Sequence, residues 1–226
     1  MATASEAVER AVRIPAGTVT LDGDLRVPAG ASGVVLFAHG SGSSRHSPRN
    51  QRVASVLRAS GLGTLLMDLL TREEEAAEAR TGHLRFDIGL LADRLVAATD
   101  WLSDQEATAG KPVGYFGAST GAGAALVAAA RRPQLVHAIV SRGGRPDLAN
   151  NALPRVAAPT LLIVGGEDHP VIRMNEEALA RIRAEKRLEI VPGASHLFEE
   201  PGALDAVSGL AAKWFGRFLG PAPRSR

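Results

Sequence analysis

The sequence predicts an α/β fold in which a mostly parallel sheet is flanked by helices. Six short apolar runs recur along the chain, and stretches with the apolar spacing of helices lie between several of them. Near-continuous apolar runs are typical of strands buried on both faces, as in a parallel sheet. Alternation of such strands with helices favours helices on both sides of the sheet. The length of 226 residues fits a single domain, 1–226, around one core.

The first predicted element is an antiparallel hairpin at about residues 10–28. Residues 18–27 alternate between apolar and polar types around Asp22-Gly23, and Asp-Gly is a strong signal for a tight hairpin turn. The six apolar runs are the later predicted strands, which brings the sheet to about eight. They are Val34–Ala38, Thr64–Met67, Val113–Phe116, Ala138–Val140, Leu161–Val164 and Leu188–Val191.

Four segments have the apolar spacing of helices. The clearest begins at Leu84 and continues to Leu102 in alternating steps of four and three residues, which places its apolar side chains on one helix face. The other three span about residues 120–132, 171–183 and 202–219. Residues 72–75 are expected to be a solvated helix start, and about residues 220–226 a C-terminal tail.

Composition excludes several classes of function. The 26 Lys and Arg nearly balance the 24 Asp and Glu, and no basic patch with interleaved aromatics indicates nucleic-acid binding. The absence of Cys excludes disulfides, thiolate metal sites and a cysteine nucleophile. The N-terminal residues lack the apolar core of a signal peptide, and the apolar run at 122–130 is shorter than the ~20 residues that a bilayer requires. We therefore expect a cytoplasmic protein with no membrane partner.

The strongest motif is Gly117-Ala118-Ser119-Thr120-Gly121, which fits G-x-S-x-G between a predicted strand and a predicted helix. In that pattern, a serine on a sharp strand-to-helix turn presents its hydroxyl above the sheet, and the glycines allow the chain to pack closely around it. The amino end of the following helix directs its amides at the reaction centre. Ser119 is therefore the candidate nucleophile.

A serine nucleophile needs a histidine base that is oriented by a carboxylate. In this arrangement the acid and then the histidine follow the serine along the chain, each after a later strand. Asp168 and His196 satisfy that order, because each follows one of the last two predicted strands. Glu167, adjacent to Asp168, is the alternative acid.

The loop His39-Gly40-Ser41 follows the first predicted parallel strand. We expect the backbone N–H groups of Ser41 and Thr120 to form the oxyanion hole, and His39 to hold the loop rather than to catalyse. A metal site from His39, His46, Asp68 and His83 is an alternative, but no known ligand spacing supports it. Neither a P-loop nor G-x-G-x-x-G is present, so no cofactor is expected.

The motifs FAHGSGSS, GYFGASTGAG, LLIVGGEDHPV and VPGASHLFEEPG, in that order, resemble the α/β-hydrolase superfamily and its compact dienelactone-hydrolase-like group. This resemblance implies the same triad, Ser119, Asp168 and His196. Members of the group also occur fused to phosphoribosyltransferase domains, but these 226 residues are expected to hold the hydrolase domain alone. Dienelactone hydrolases proper use a cysteine nucleophile, whereas position 119 is serine, so ester hydrolysis in general is the safer expectation.

The predicted function is hydrolysis of small-molecule carboxylic esters. Only Ser141 to Thr160 separates two predicted strands where many superfamily members carry a cap, so no cap domain and an open site for short acyl chains are expected. Arg142 either meets a substrate carboxylate or braces its loop. A thioesterase, a serine peptidase and a non-catalytic binding protein are the alternatives, and the oligomeric state and a lid at residues 70–85 are left open.

Overall fold

The computed structural model describes residues 6–220, except for the side chains of residues 79–81. Within that range the chain forms one eight-stranded sheet with helices on both faces. The expected tail beyond residue 220 lies outside the described residues. The strands are β1 (Val8–Ala16), β2 (Val19–Val27), β3 (Val34–Ala38), β4 (Gly63–Met67), β5 (Val113–Ala118), β6 (Val136–Arg142), β7 (Thr160–Gly165) and β8 (Lys186–Val191).

The strand order across the sheet is β1-β2-β4-β3-β5-β6-β7-β8. All pairs among β3 to β8 are parallel, whereas β2 is antiparallel to both β1 and β4. The strands β3, β4, β5 and β7 are buried along their whole length, which is why they read as near-continuous apolar runs. The predicted mostly parallel α/β sheet is confirmed.

The hairpin is present, but its predicted turn at Asp22-Gly23 is wrong. The chain turns after β1 at Gly17, which has φ +66°, and Asp22-Gly23 lies within β2. A β-carbon at Gly23 would lie 3.2 Å from side-chain atoms of both Val12 and Leu65 on the neighbouring strands. This glycine therefore serves close packing inside the sheet rather than a turn.

Within residues 6–220, six α-helices and two 3-10 helices accompany the strands. The α-helices are α1 (Pro48–Ala59), α2 (Arg72–Thr81), α3 (Ile88–Ser103), α4 (Thr120–Arg131), α5 (His169–Arg181) and α6 (Ala203–Phe218), and the 3-10 helices are Leu84–Phe86 and Pro146–Arg155. Helices α1 and α6 cover one face of the sheet, and α3 and α4 cover the other. No helix in residues 6–220 is long and apolar enough to cross a membrane.

Two helix starts differ from the expectation. The helix predicted from Leu84 begins at Ile88, because the Asp87 side chain accepts a hydrogen bond from Leu90 N at 2.9 Å and caps the helix there. Helix α1 was not predicted, although Ser47 accepts from Asn50 N as its N-cap and Pro48 occupies its first position. Ser-Pro before a polar helix is the signal that could have found it.

The segment between β6 and β7 does not form a cap domain. It contains only the 3-10 helix Pro146–Arg155, which packs against α4 and α5. Asn175 of α5 donates a hydrogen bond to Gly144 O at 3.0 Å and so fixes the start of the segment beside the sheet. The residues that follow β4 carry α2, which is tied to α3 by an ion pair of 2.7 Å between Glu74 and Arg94.

Candidate active site

Ser119 occupies a strained turn between β5 and α4. Its φ of +50° and ψ of −123° lie outside the regions that residues with side chains favour, at a cost of about 1–3 kcal/mol. A β-carbon at Gly117 would lie 2.5 Å from Ala122 Cα, and one at Gly121 would collide with the carbonyl oxygen of Ala38. Larger residues at either glycine would therefore prevent the turn that presents Ser119.

The Ser119 backbone is held firmly, while its hydroxyl is uncommitted. Its amide donates to Arg142 O at 3.3 Å, and its carbonyl accepts from Ala122 N and Arg145 N at 3.1 and 3.0 Å. A serine that begins a helix commonly caps the first turn with its Oγ, yet Ser119 makes no such bond. Among the residues that the structure describes, no other group is hydrogen-bonded to this Oγ. The hydroxyl is thus available for chemistry.

Asp168 and His196 form a short hydrogen-bonded pair. Asp168, at the carboxyl end of β7, places its Oδ2 2.6 Å from Nδ1 of His196, which follows β8. Their side chains are 13% and 38% exposed, respectively. When Nδ1–H donates to the carboxylate, Nε2 is left free to act as a base. Glu167 is exposed and contributes its amide to Ala194 O, so the structure pairs Asp168 rather than Glu167 with His196.

The link between His196 and Ser119 is indirect in this structure. No hydrogen bond joins Ser119 Oγ to the His196 ring within residues 6–220. The two residues are neighbours through β6, because Arg142 O accepts the Ser119 amide and the next residue, Gly143, lies beneath the histidine. A β-carbon at Gly143 would lie 3.5 Å from Nδ1 and Cε1 of the ring. Catalytic hydrogen bonds are often long without substrate and tighten when it binds.

The two residues expected to supply the oxyanion donors, Ser41 and Thr120, are hydrogen-bonded to each other. Ser41 N–H donates to Thr120 Oγ1 at 3.1 Å, and the two hydroxyl oxygens are 3.0 Å apart. A β-carbon at Gly40 would lie 3.1 Å from Ser119 Cβ, so this loop touches the nucleophile. The Thr120 amide is at the amino end of α4, where amides lack partners within the helix. An oxyanion would therefore compete with the Thr120 hydroxyl for the Ser41 amide.

His39 connects the loops after β3 and β4. Its Nε2 accepts from Leu69 N at 3.0 Å, which leaves Nδ1–H to donate to Gly40 O at 2.9 Å. Burial lowers the pKa of His39, a shift that the Gly40 carbonyl and nearby Asp68 partly oppose. The ring is therefore neutral and fully hydrogen-bonded, which is the geometry of a residue that holds the loop.

Arg142 is buried beside the nucleophile. The residue is 6% exposed, and within residues 6–220 its guanidinium has no counter-ion and its Nε has no hydrogen-bond partner. Its guanidinium carbon lies 5.9 Å from the ring centroid of Phe198, two residues beyond His196. Burial, followed by the charge of Arg49, lowers the pKa of Arg142 to about 10, so the group is charged at neutral pH. Sequence reasoning did not single out Arg49 or Phe198, and their only signal was proximity to the helix start and to the histidine.

A cleft adjoins the site but does not contain the triad. Its volume is about 640 Å³, and polar residues of the loops after β3 and β4 predominate in its lining, including Ser43, His46, Arg49 and Asp68. Residues 70–85 contribute part of its wall rather than a closed lid. A notch of about 10 Å³, lined in part by Gly40, Ser41 and Thr120, has room for about one water molecule. No cluster of three or more His, Asp or Glu suited to a metal occurs in the described part of the chain.

The sequence pattern of the dienelactone hydrolase family matches residues 21–217. A crystal structure of a dienelactone hydrolase from Anabaena variabilis ATCC 29413 is 66% identical, with a TM-score of 0.92 over 94% of this chain and 98% of that one. Est1E from Butyrivibrio proteoclasticus is 14% identical, with a TM-score of 0.74 over 91% of this chain and 99% of that one, and shares the fold alone.

A curated protein of Mycobacterium tuberculosis (strain ATCC 25618 / H37Rv), provisionally named as a phosphoribosyl transferase, is 57% identical over 213 residues. The match covers 94% of this chain and 47% of that protein, so the chain spans about half the length of this relative. The family pattern covers residues 21–217, which include the Ser119 turn and the Asp168–His196 pair, and the Anabaena structure covers 94% of the chain. The chain therefore belongs to the dienelactone hydrolase family.

Proposed function

We propose that this hydrolase cleaves carboxylic esters through an acyl-enzyme on Ser119. The observation that supports this most directly is the 2.6 Å hydrogen bond between Asp168 and His196, next to a strained serine turn whose hydroxyl is uncommitted. A serine at its ordinary pKa is a weak nucleophile, and an oriented histidine is what activates it.

In the proposed reaction, Ser119 Oγ attacks the ester carbonyl while His196 Nε2 removes its proton. Asp168 holds the imidazole in the correct tautomer and stabilises its cation. The Thr120 amide, and the Ser41 amide once it is released from the Thr120 hydroxyl, bind the oxyanion. His196 then donates the proton to the leaving alcohol, which departs and leaves the acyl group on Ser119. Finally, His196 deprotonates a water molecule that attacks the acyl-enzyme, and the imidazolium returns this proton to Ser119 Oγ as the carboxylic acid product leaves.

The proposed substrates are small esters with short acyl chains. The segment after β6 packs beside α4 and α5, and the notch at the oxyanion loop has room for about one water molecule, so neither supplies an apolar wall for a long chain. Each methylene left in water forfeits about 0.8 kcal/mol of binding. We expect kcat/KM to be highest for acyl chains of about two to six carbons.

Thioester and peptide hydrolysis use the same groups and are the competing activities. The phosphoribosyl transferase name belongs to a relative about twice as long as this chain, whereas a G-x-S-x-G turn with an Asp–His pair is the chemistry of acyl transfer. This difference in chemistry favours hydrolysis of an acyl compound over phosphoribosyl transfer for the matched half.

The test is a substrate panel on the wild type and on Ser119→Ala. The panel contains 4-nitrophenyl acetate, butyrate, octanoate and palmitate, a matched thioester and a peptide anilide. We expect ester turnover that declines beyond about six acyl carbons and disappears in the variant. Ester turnover that survives in Ser119→Ala would contradict the proposal, as would turnover of the thioester or anilide alone. An optimum at octanoate or beyond would contradict the short-chain preference.

A further inference from the structure

Strand β8 is an edge of the sheet and leaves half of its backbone hydrogen-bonding groups without a strand partner. Within residues 6–220, β7 lies on one side of β8 and no strand lies on the other. Thr160 N donates to the carbonyl of Glu185, directly before β8, at 2.8 Å, so the odd-numbered residues direct their backbone groups towards β7. Because these groups alternate in direction along a strand, the outward ones belong to Lys186, Leu188 and Ile190.

An exposed apolar side chain lies beside this edge. Ile190 is 40% exposed, although it is a large hydrophobic residue. It borders a groove of about 350 Å³ between the end of β8 and α6, whose lining also includes Ala206, Gly209, Leu210 and the cation Lys213. An unpaired strand edge with an exposed apolar residue is a template for pairing with a further strand.

The charges of β8 are complementary to those of a second, antiparallel copy of the same strand. A two-fold axis at Leu188 places Arg187 opposite Glu189 of the second copy, and Glu189 opposite its Arg187. The outward backbone groups match in the same register, because Leu188 then meets its own copy and Lys186 meets Ile190 as hydrogen-bonded pairs. The two arginine–glutamate pairs occupy the non-hydrogen-bonded positions, where opposing side chains are closest.

The neighbouring registers place like charges opposite each other. An axis at Arg187 would oppose two arginines, and an axis at Glu189 would oppose two carboxylates. Like charges directly opposite destabilise a strand pair. Within one chain, Arg187 and Glu189 already form an ion pair, so the register at Leu188 joins two such ion pairs into one network. Charge therefore favours this register over its neighbours.

The opposite edge of the sheet lacks this arrangement. Strand β1 contains Pro15, which has no N–H to donate, and its Arg10 is bound to Gln105 at 3.2 Å. Proline and charged side chains on an edge strand commonly prevent pairing between molecules. Strand β8 contains no proline, and the order of its charges attracts a second copy in the register at Leu188. The two edges therefore differ in their capacity for self-association.

We propose that two copies of this protein associate through β8, antiparallel about a two-fold axis at Leu188, and so join their sheets into one. The axis is normal to the sheet, which places α6 of both copies on the same face. The aliphatic stem of Lys186 from one copy then covers Ile190 of the other. The occupant of the β8 edge is thus a second copy of this chain.

The experiment uses two charge-reversal variants alone and in mixture. Arg187→Glu carries carboxylates at both positions of the pair, and Glu189→Arg carries guanidinium groups at both. Each variant opposes like charges when it pairs with itself, whereas a pair of one copy of each opposes only unlike charges. Glu9→Arg is the matched control, because it alters an exposed ion pair with Arg26 at the other edge of the sheet.

Sedimentation velocity measures the mass and the dimer Kd at loading concentrations of about 1 to 100 µM. We expect the wild type and Glu9→Arg to reach twice the mass of one chain, which is 23.6 kDa. The Kd of each β8 variant alone should rise about tenfold or more, and the equimolar mixture should recover most of the loss. In the wild type, amide hydrogen exchange of residues 186–190 should slow as the protein concentration rises.

A wild type that remains a monomer at about 100 µM would overturn the proposal. A dimer that neither β8 variant weakens would also overturn it, as would a mixture that associates no better than the separate variants. If the variants do not fold by circular dichroism, hydrogen exchange of the wild type decides. Exchange at residues 186–190 that does not depend on concentration would then overturn the proposal, and slow exchange of that kind would show that another segment of the same chain covers β8.

Discussion

The two sides of Ser119 differ in how their polar groups are satisfied. On the β3 side, the ring nitrogens of His39 are hydrogen-bonded, and the Ser41 amide is bonded to Thr120. On the β6 side, the buried Arg142 Nε has no partner. The His39 ring and the Ser41 amide are thus paired before a substrate arrives, whereas the Arg142 Nε has no partner within residues 6–220.

This difference separates a side whose polar groups hold the backbone in place from a side that has a donor to offer to a substrate. A loop whose polar groups are paired holds its backbone in one place, which oxyanion donors require because their strength depends on preorganisation. An unpaired buried donor stabilises nothing by itself, and beside an active site it is a candidate for a functional role. We therefore expect changes on the β3 side to alter turnover and stability, and changes at Arg142 to alter the choice of substrate.

We expect the largest effect on kcat from substitution of Ser119, which lies between the two sides. Ser119→Ala removes the attacking oxygen with little change in packing, and we expect kcat for a short 4-nitrophenyl ester to fall by a factor on the order of 10⁴ or more. Ser103→Ala, on the far helix α3, serves as the control. More than a tenth of wild-type turnover in purified Ser119→Ala would show that the nucleophile is elsewhere.

The acid–base pair should show the next largest effect. Asp168→Asn keeps the side-chain shape but loses the charge that favours the imidazolium, so kcat should fall roughly 10²- to 10⁴-fold, and His196→Ala should fall at least as far. Glu167→Gln is the matched control and should stay near the wild type. Unchanged kcat in Asp168→Asn together with an inactive Glu167→Gln would show that Glu167, and not Asp168, is the acid.

Thr120→Val tests whether hydrogen bonds on the β3 side position an oxyanion donor. It removes the hydroxyl that accepts from the Ser41 amide and contacts Ser41 Oγ, so the loop loses two hydrogen bonds. We expect kcat to fall by up to about tenfold with a smaller change in KM, because the loss of the bonds that hold the loop outweighs the release of the Ser41 amide from a competing acceptor. Thr120→Ser should restore most of the loss. Equal kcat in Thr120→Val would mean that these bonds do not position the donor.

A smaller, pH-dependent effect on stability is expected at His39. Burial lowers its pKa in the folded state below the ordinary value of 6.5, so its stabilisation is present above pH 6.5 and is lost as the pH falls below that value. Below pH 6.5, the wild-type free energy of unfolding should approach that of His39→Gln. The difference between the two should shrink by at most about 1.4 kcal/mol per pH unit. Urea titrations at pH 7.5, 6.5 and 5.5 measure this. If the difference in the free energy of unfolding between the wild type and His39→Gln were the same at all three pH values, titration of His39 would be excluded.

The sequence predicted those parts of the fold in which a local pattern is sufficient. Strand β3 occupies the predicted residues because all of its side chains are buried and therefore apolar. The hairpin turn was misplaced because Asp22-Gly23 has the composition of a turn, whereas the packing of Gly23 against two other strands depends on the assembled sheet. The start of α3 was misplaced because periodic leucines continue through a 3-10 helix before Asp87.

The same distinction between local patterns and contacts formed in the assembled fold applies to the candidate site. The order of Ser119, Asp168 and His196 was readable because each follows a strand of the same sheet, and the parallel arrangement brings those strand ends together. The bond between the Ser41 amide and the Thr120 hydroxyl, and the missing partner of Arg142, were not readable. Both depend on which side chains meet in space after residues distant in sequence have folded together.

Covalent labelling tests directly whether Ser119 is an activated nucleophile. Purified protein would be treated with a fluorophosphonate probe, and the labelled peptide identified by mass spectrometry for the wild type, Ser119→Ala, His196→Ala and the Ser103→Ala control. We predict one adduct on Ser119 in the wild type and the control, none in Ser119→Ala and greatly slowed labelling in His196→Ala. An unreactive wild type, or an adduct on another residue that persists in Ser119→Ala, would contradict the assignment of Ser119 as an activated nucleophile.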